Sequence, residues 1–287
     1  MNQRRFLVYI CAVLLFVWSI VPIYWVMNQS LMLGSDALYV PAYFFPKDPT
    51  LANYYRIFGY SVETKYGTIR PSGFAPQVMK GMINSLLVSI PVTLITMAVA
   101  TPVGYALGRY KFRSKNLLVM LLLGSRALPP VAIVIPYFYL YQFLGLINTV
   151  QGLIIIYTSI TIPIITWVLI GFFATLPKDM ELAARMDGCG RFTALRRIVI
   201  PMASSGLAAS AILAFLLSWN EFLYSMILTA GSTAQTLPPV LPAMLFMQFD
   251  ATALFSATVL TLIPPIFVAL FFQKYILQLK LVDPVTV

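Results

Sequence analysis

The chain has 287 residues, of which 60% are hydrophobic and only 10% charged. A water-soluble domain of this size cannot hide so much apolar surface, because its exterior must stay wettable, so lipid is the natural solvent for the excess. With no histidine and only nine acidic residues, the commonest general base and metal ligand are missing and a catalytic carboxylate cluster has little to draw on.

The first apolar run, residues 6–27, follows Arg4 and Arg5. Its core is too long for a signal peptide and no small-residue cleavage site follows, so it reads as an uncleaved membrane span. Residues 29–80 are rich in Tyr, Pro and Gly and read as an external loop with a short helix near Asn53–Phe58. The second span, 82–107, lies between Lys80 and Arg109, and the next seven residues, Arg109–Lys115, carry four basic side chains. Such a run belongs on the cytoplasmic side.

No charged residue occurs from Ala127 to Pro177. That stretch is too long for one pass, and the weakly polar patch Gly145–Gly152 divides it into spans at 116–143 and 153–173. Pro129, Pro130 and Pro136 lack backbone donors and should kink or break the first of these. After a polar segment at 174–205, spans at 207–229 and 251–272 bring the total to six, in a single transmembrane domain covering 1–287.

Six spans place both termini on one side. The N-terminus, the 109–115 run, the 174–205 segment and the C-terminus together hold thirteen basic and four acidic residues, against five and four on the opposite side. The asymmetry predicts cytoplasmic termini. It also accounts for the net charge of +10 as membrane flanks, with no nucleic-acid partner implied. Cys11 and Cys189 sit in different settings, one in an apolar run and one in a polar loop, and are not expected to form a disulfide.

The polar segment carries the pattern most suggestive of function. Pro177 suits a helix start, Asp179 and Glu181 suit the first turn, and Gly188 suits the position just past the end. The predicted helix of about ten residues is far too short to cross a bilayer. A second short helix is expected over Arg191–Ile200, ended by Pro201, with Phe192, Leu195, Ile198 and Val199 at helical spacing. A short helix with Ala183 and Ala184 at its middle can lie close in a partner's groove. An amphipathic hairpin resting on the membrane surface fits the same residues equally well.

Ala183-Ala184, Gly188, and Ile198 with Pro201 resemble the EAA coupling motif of ABC-importer permeases. Asn84-Ser85-Leu86, Tyr105-Ala106-Leu107-Gly108-Arg109, Ser125-Arg126-Ala127-Leu128-Pro129-Pro130 and Trp219-Asn220-Glu221-Phe222 are similar to the carbohydrate-importer, maltose-permease-like branch, second permease, and occur in family order over about residues 80–225. The resemblance implies an all-α membrane protein of type I importer architecture, with six transmembrane helices and cytoplasmic termini. It implies a sugar or oligosaccharide as solute, with a non-sugar solute or an ion-gradient-driven carrier as the alternatives. It also implies a second homologous permease subunit, a pair of ATP-binding cassette ATPases and an external solute-binding protein as partners. Glu181, Ala183, Ala184, Asp187, Gly188, Ile198 and Pro201 form the expected ATPase-coupling set. The chain has no Gly-x-x-x-x-Gly-Lys-Ser/Thr loop, so ATP and Mg are expected in the partner subunits, with no cofactor in this chain and no enzymatic activity of its own. The glutamate that gives the motif its name falls on Leu182, with Glu181 one residue early. The C-terminal residues 279–287 also lack the branch's common Gly-rich basic ending.

Within the spans, Arg126 should face protein or water, because a charge at a helix centre costs about 2.5–3.5 kcal/mol on insertion scales. Glu221 is the only acid inside a span, at a comparable depth, and the two are a candidate pair. Arg126 and Glu221, with Trp219, Asn220 and Tyr224, form the candidate solute path; Trp219, Asn220 and Tyr224 can also serve as interfacial anchors and helix–helix contacts. Tyr137, Tyr139 and Tyr141 read as an interfacial belt, and Gly104 and Gly108 form a Gly-x-x-x-Gly pair.

Overall fold

The computed structural model describes residues 3–37, 39–177, 179–186, 188–247 and 249–277. Asp187 and the charged C-terminal residues Lys280 and Asp283 lie outside them. Among the described residues, five helical stretches are long and apolar enough to cross a membrane: Leu7–Ser30, Ala75–Arg109, Val150–Thr175, Ser204–Leu228 and Ala251–Tyr275. The chain is thus a multi-pass membrane protein, and it divides into two compact units.

One unit comprises Met1–Met82 with Pro239–Ile263. Helix α1 (Gln3–Ser30) is lined with exposed apolar side chains, as a lipid-facing span requires. It is followed by the short helices α2 (Gly34–Ala37) and α3 (Ala52–Ile57). An antiparallel hairpin then forms from β1 (Val62–Thr64) and β2 (Gly67–Ile69), with Val62 opposite Ile69. The short helix at Asn53–Phe58 was legible in the sequence. The hairpin departs from the all-α expectation, and its turn is tied by Thr64 Oγ1 donating to the Gly67 carbonyl at 2.7 Å.

Asn53 organises this unit: its Nδ2 donates to the carbonyls of Ser30 (3.0 Å) and Met32 (2.7 Å), groups freed where α1 ends. Arg56 on α3 pairs with Asp250 at 2.9 Å, tying the loop to the start of the last helix.

The second unit comprises Ile83–Pro238 with Pro264–Val287. Helix α4 (Ala75–Arg109) enters it from the first unit. The expected third span is two helices, α5 (Lys115–Gly124) and α6 (Pro130–Phe143). The break falls where the prolines predict it: Pro129 is extended at the N-cap and Pro130 opens α6. Helix α7 (Val150–Thr175) follows, its N-terminus capped by Thr149, whose side chain accepts from the Gly152 amide. The expected fifth span is also divided, into α11 (Ser204–Trp219) and α12 (Leu223–Leu228). A helix absent from the sequence reading, α13 (Leu237–Phe246), precedes α14 (Ala251–Leu277).

Helices α4 and α7 form the spine of this unit. Val88 and Val92 of α4 pack with Leu153, Ile156 and Tyr157 of α7, with Val134 and Tyr141 of α6, and with Tyr224 and Leu228 of α12. Further along, Ala100 and Tyr105 of α4 meet Ile165, Leu169 and Phe173 of α7. Gly104 and Gly108 allow the close approach. A Cβ on Gly104 would stand 2.8 Å from Leu169 Cβ, and one on Gly108 would stand 2.9 Å from the Ile170 carbonyl oxygen. The Gly-x-x-x-Gly spacing is therefore a helix contact within the chain.

The tyrosine belt does not survive intact. Tyr137 and Tyr141, four apart, share the inward face of α6, and Tyr141 is buried in the core. Tyr139 points the other way and is exposed. Helical periodicity cannot place residues two apart on one face.

Replacing Gly104 or Gly108 by Val should therefore force α4 from α7. The expected cost is about 1–3 kcal/mol, read as a lower melting temperature of the detergent-solubilised protein. An unchanged melting temperature for both variants would show that the contact is looser than the geometry implies.

Candidate functional site

The polar segment after α7 folds as a helical hairpin. Helix α8 (Asp179–Met186) is eight residues long, shorter than the ten expected. At its end the Cys189 amide donates to the Ala184 carbonyl at 3.0 Å, and Gly188 adopts φ +87°. This is the left-handed C-terminal cap that the sequence assigned to Gly188, a conformation costly for any residue with a Cβ.

The return strand of the hairpin differs from expectation. Helix α9 (Arg191–Ala194) passes into a π-helical turn, Leu195–Val199, and then into a short helix α10 (Ile200–Met202). Pro201 does not end the helix but lies in the first turn of α10, where a missing N–H is tolerated. The extra residue of the π turn re-aims the side chains. Leu195 and Val199 are buried against α4 and α7, Ile198 is half-buried and Phe192 is exposed.

Helix α8 has two distinct faces. Glu181 and Ala184, three residues apart, point inward. Ala183, expected to act with Ala184, is exposed. Met180, Leu182, Met186 and Phe192 are 55%, 54%, 88% and 75% exposed, an apolar surface on an otherwise polar hairpin. Glu181 is only 9% exposed and is directed at the end of α4. Its Oε1 accepts from the Tyr105 hydroxyl at 2.6 Å, and its Oε2 lies 3.1 Å from Arg109 Nη2. Arg109 also donates to the Leu176 carbonyl (2.7 Å) and the Pro177 carbonyl (3.0 Å). Sequence reasoning flagged Tyr105 and Arg109 as a motif closing span two but gave them no role. The basic residue at a helix C-terminus beside freed carbonyls was the available signal.

The second candidate region is the break between α11 and α12. Glu221 covers the first amides of α12: Oε1 accepts from Leu223 (3.1 Å), and Oε2 from Tyr224 (3.2 Å) and Ser225 (3.5 Å). The expected pair with Arg126 is not formed. The ion pairs among the described residues are Arg56–Asp250, Lys65–Asp48 and Arg109–Glu181, and Arg126 is exposed beside the break between α5 and α6. Backbone amides at a broken helix compete for a carboxylate, and here they hold it. Trp219 stacks on Phe215 at 5.6 Å and is buried, and Tyr224 is buried edge-on to Tyr137. Of the five residues expected on a solute path, the structure exposes Arg126 and Asn220, half-buries Glu221, and encloses Trp219 and Tyr224.

The segment after α12 is fastened to α4. Asn84 Nδ2 donates to the Thr233 and Gln235 carbonyls at 2.8 and 2.9 Å, and Ser85 Oγ accepts from the Leu237 amide at 2.9 Å. The Asn84-Ser85 pair therefore satisfies irregular backbone between α12 and α13, where unpaired buried polar groups would be costly.

The pattern and geometry agree with the protein-family comparison. Residues 100–280 match the family of binding-protein-dependent transport system inner membrane components. The chain belongs to that family. The permease is 29% identical to a trehalose/maltose transport system permease protein of Thermococcus litoralis, over 96% of this chain and 94% of that protein. It is 31% identical to a diacetylchitobiose uptake system permease protein of Streptomyces coelicolor, over 96% and 87%. It is 30% identical to a trehalose transport system permease protein of Mycobacterium tuberculosis, over 90% and 89%. Its fold matches a chain of a bacterial ABC transporter that imports the polysaccharide alginate, with a TM-score of 0.73 at 20% identity, covering 96% and 98% of the two chains. The permease is thus a transport component and not an ATPase.

Glu221→Ala should cost about 0.5–2 kcal/mol, the usual value of a lost helix cap, whereas Arg126→Gln should leave the melting temperature unchanged. The double charge swap, Arg126→Glu with Glu221→Arg, should rescue nothing. Recovery of stability in that double variant would show that the two residues pair after all.

Proposed function

We propose that this chain is one of two permease subunits forming the translocation pathway of an ATP-driven importer, and that the solute is a sugar or oligosaccharide. The observation that carries the reading is the exposed apolar face of α8 and α9, on a hairpin too short to cross a bilayer, in a chain of this family. That face docks in a groove of a soluble ATPase, which binds ATP and Mg. An external binding protein delivers the solute. Six spans, counting α5 with α6 as one interrupted crossing, place both termini and the hairpin on the cytoplasmic side, in accord with the charge asymmetry.

In this scheme Ala183, Leu182 and the cap at Gly188 shape the contact, and Ile198 and Pro201 support the return arm; Asp187, expected in the same set, lies outside the described residues. Asn220, Glu221 and Arg126 are the polar side chains offered to the solute path. The sugar reading rests on relatives whose names specify trehalose, maltose and diacetylchitobiose. Amides and carboxylates suit sugar hydroxyls. A gradient-driven carrier is not favoured, because it leaves the hairpin without a purpose.

Co-expression with the neighbouring genes should bring down an ATPase with this chain. Gly188→Asp forces a side-chain residue into the left-handed conformation, at about 1–2 kcal/mol, and should release the ATPase or lower its solute-dependent activity. Proteoliposomes of the intact complex should then take up a member of a panel of trehalose, maltose and chitobiose only with internal ATP. A chain that purifies alone and moves solute without ATP would overturn the reading.

A further inference from the structure

Arg109 has no assigned part in transport, yet it is the most heavily bonded side chain at the base of the second unit. Its side chain is 3% exposed. Through Nε, Nη1 and Nη2 it reaches both the Glu181 carboxylate and the two carbonyls, Leu176 and Pro177, that join α7 to α8. One planar guanidinium therefore ties the end of α4, the end of α7 and the body of α8. Tyr105, one turn back on α4, donates to the other oxygen of the same carboxylate. Arg191, on the far arm of the hairpin, lies over the Tyr110 ring at 5.1 Å, giving a second connection to the same end of α4. Immediately above this cluster Gly104 and Gly108 hold α4 and α7 backbone to backbone.

We propose that Arg109 is a positioning residue: with Glu181 and Tyr105 it locks α8 to α4, so that displacement of the hairpin by its partner is delivered to α4 and not absorbed in the connection after α7. Without the lock, α8 would be joined to α7 by a short connection containing Pro177 and tied to α4 only indirectly, through the return arm. Hinges of this kind form where a few loop residues can absorb backbone rotation. The lock converts that hinge into a rigid joint. This rests on the docking of the ATPase at α8.

The test is hydrogen–deuterium exchange, read by mass spectrometry, on the complete complex in nanodiscs, nucleotide-free and trapped with ATP and vanadate. In the unmodified complex, trapping should change exchange both in α8 and in the last turns of α4, residues 102–109. In Arg109→Gln the α8 change should persist, the α4 change should be lost, and ATP hydrolysis should continue. If the unpaired Glu181 lowers the yield of that variant, R109Q combined with E181Q leaves no buried charge unmatched and carries the same expectation. An α4 response that survives in the double variant would overturn the lock while leaving docking intact. An α8 that shows no nucleotide-dependent change in the unmodified complex would overturn the docking reading, and the lock with it.

Discussion

Lipid gives two apolar helices no hydrophobic reason to meet, because hydrocarbon chains are as apolar as leucine. The contact between α4 and α7 must therefore come from close backbone packing, and Gly104 and Gly108 make it possible. Other features of the second unit follow from that contact. Once α4 and α7 lie side by side, Tyr105 and Phe173 form an edge-to-face pair at 5.8 Å. Arg109 then emerges beside the freed carbonyls that follow α7. The hairpin packs Leu195 and Val199 into the cluster the two helices share. A helix of eight residues has little stability alone in water. Here its inward face is held by the buried Arg109–Glu181 ion pair and by the Tyr105 hydroxyl.

The second constraint is the accounting of backbone polar groups where helices break. Water cannot satisfy them in a hydrocarbon core, so side chains must. Glu221 does this for the first amides of α12, Asn84 and Ser85 for the segment before α13, and Ser225 Oγ for the Thr236 amide at 3.1 Å. Such breaks are tolerated where they are enclosed by protein or face a cavity. This division explains the fate of the aromatic residues around the break. Trp219 and Tyr224 supply the enclosure, and Asn220 and Glu221 remain the more accessible polar side chains at the break.

Much of this was legible in the chain because the bilayer simplifies the code. Long apolar runs bounded by basic residues located the five long apolar helices to within several residues, but not the division of the expected third span into two short ones. Pro129 and Pro130 announced the break before α6, and Gly188 announced the cap of α8. What was not legible depended on neighbours distant in sequence. The π turn at Leu195–Val199 inserts a residue that no local spacing reveals, and so Phe192 turned outward when its period placed it inward. Helix α13 is short, proline-containing and follows a loop pinned by Asn84, so neither length nor periodicity marked it. Arg126 and Glu221 share a similar depth by residue count yet do not pair, because the amides of α12 lie nearer to the carboxylate than any guanidinium.

The shift of the acid from 182 to 181 takes on meaning from the same geometry. One residue turns a helical side chain by about 100°, and here that turn carries the carboxylate from the outer face of α8 to the inner one. Leu182 then occupies the outer position and joins Met180, Met186 and Phe192 in an apolar surface. The acid is spent inside the chain, on Arg109 and Tyr105, and the surface offered to a partner is correspondingly less polar. A partner groove fitted to this hairpin should be lined by apolar groups opposite Leu182, where an acid at that position would instead require a basic residue. On the proposed docking, the inner face fixes the hairpin to α4 through charge while the outer face would bind through shape and burial, so that changing a partner's fit at Leu182 need not disturb the joint at Glu181.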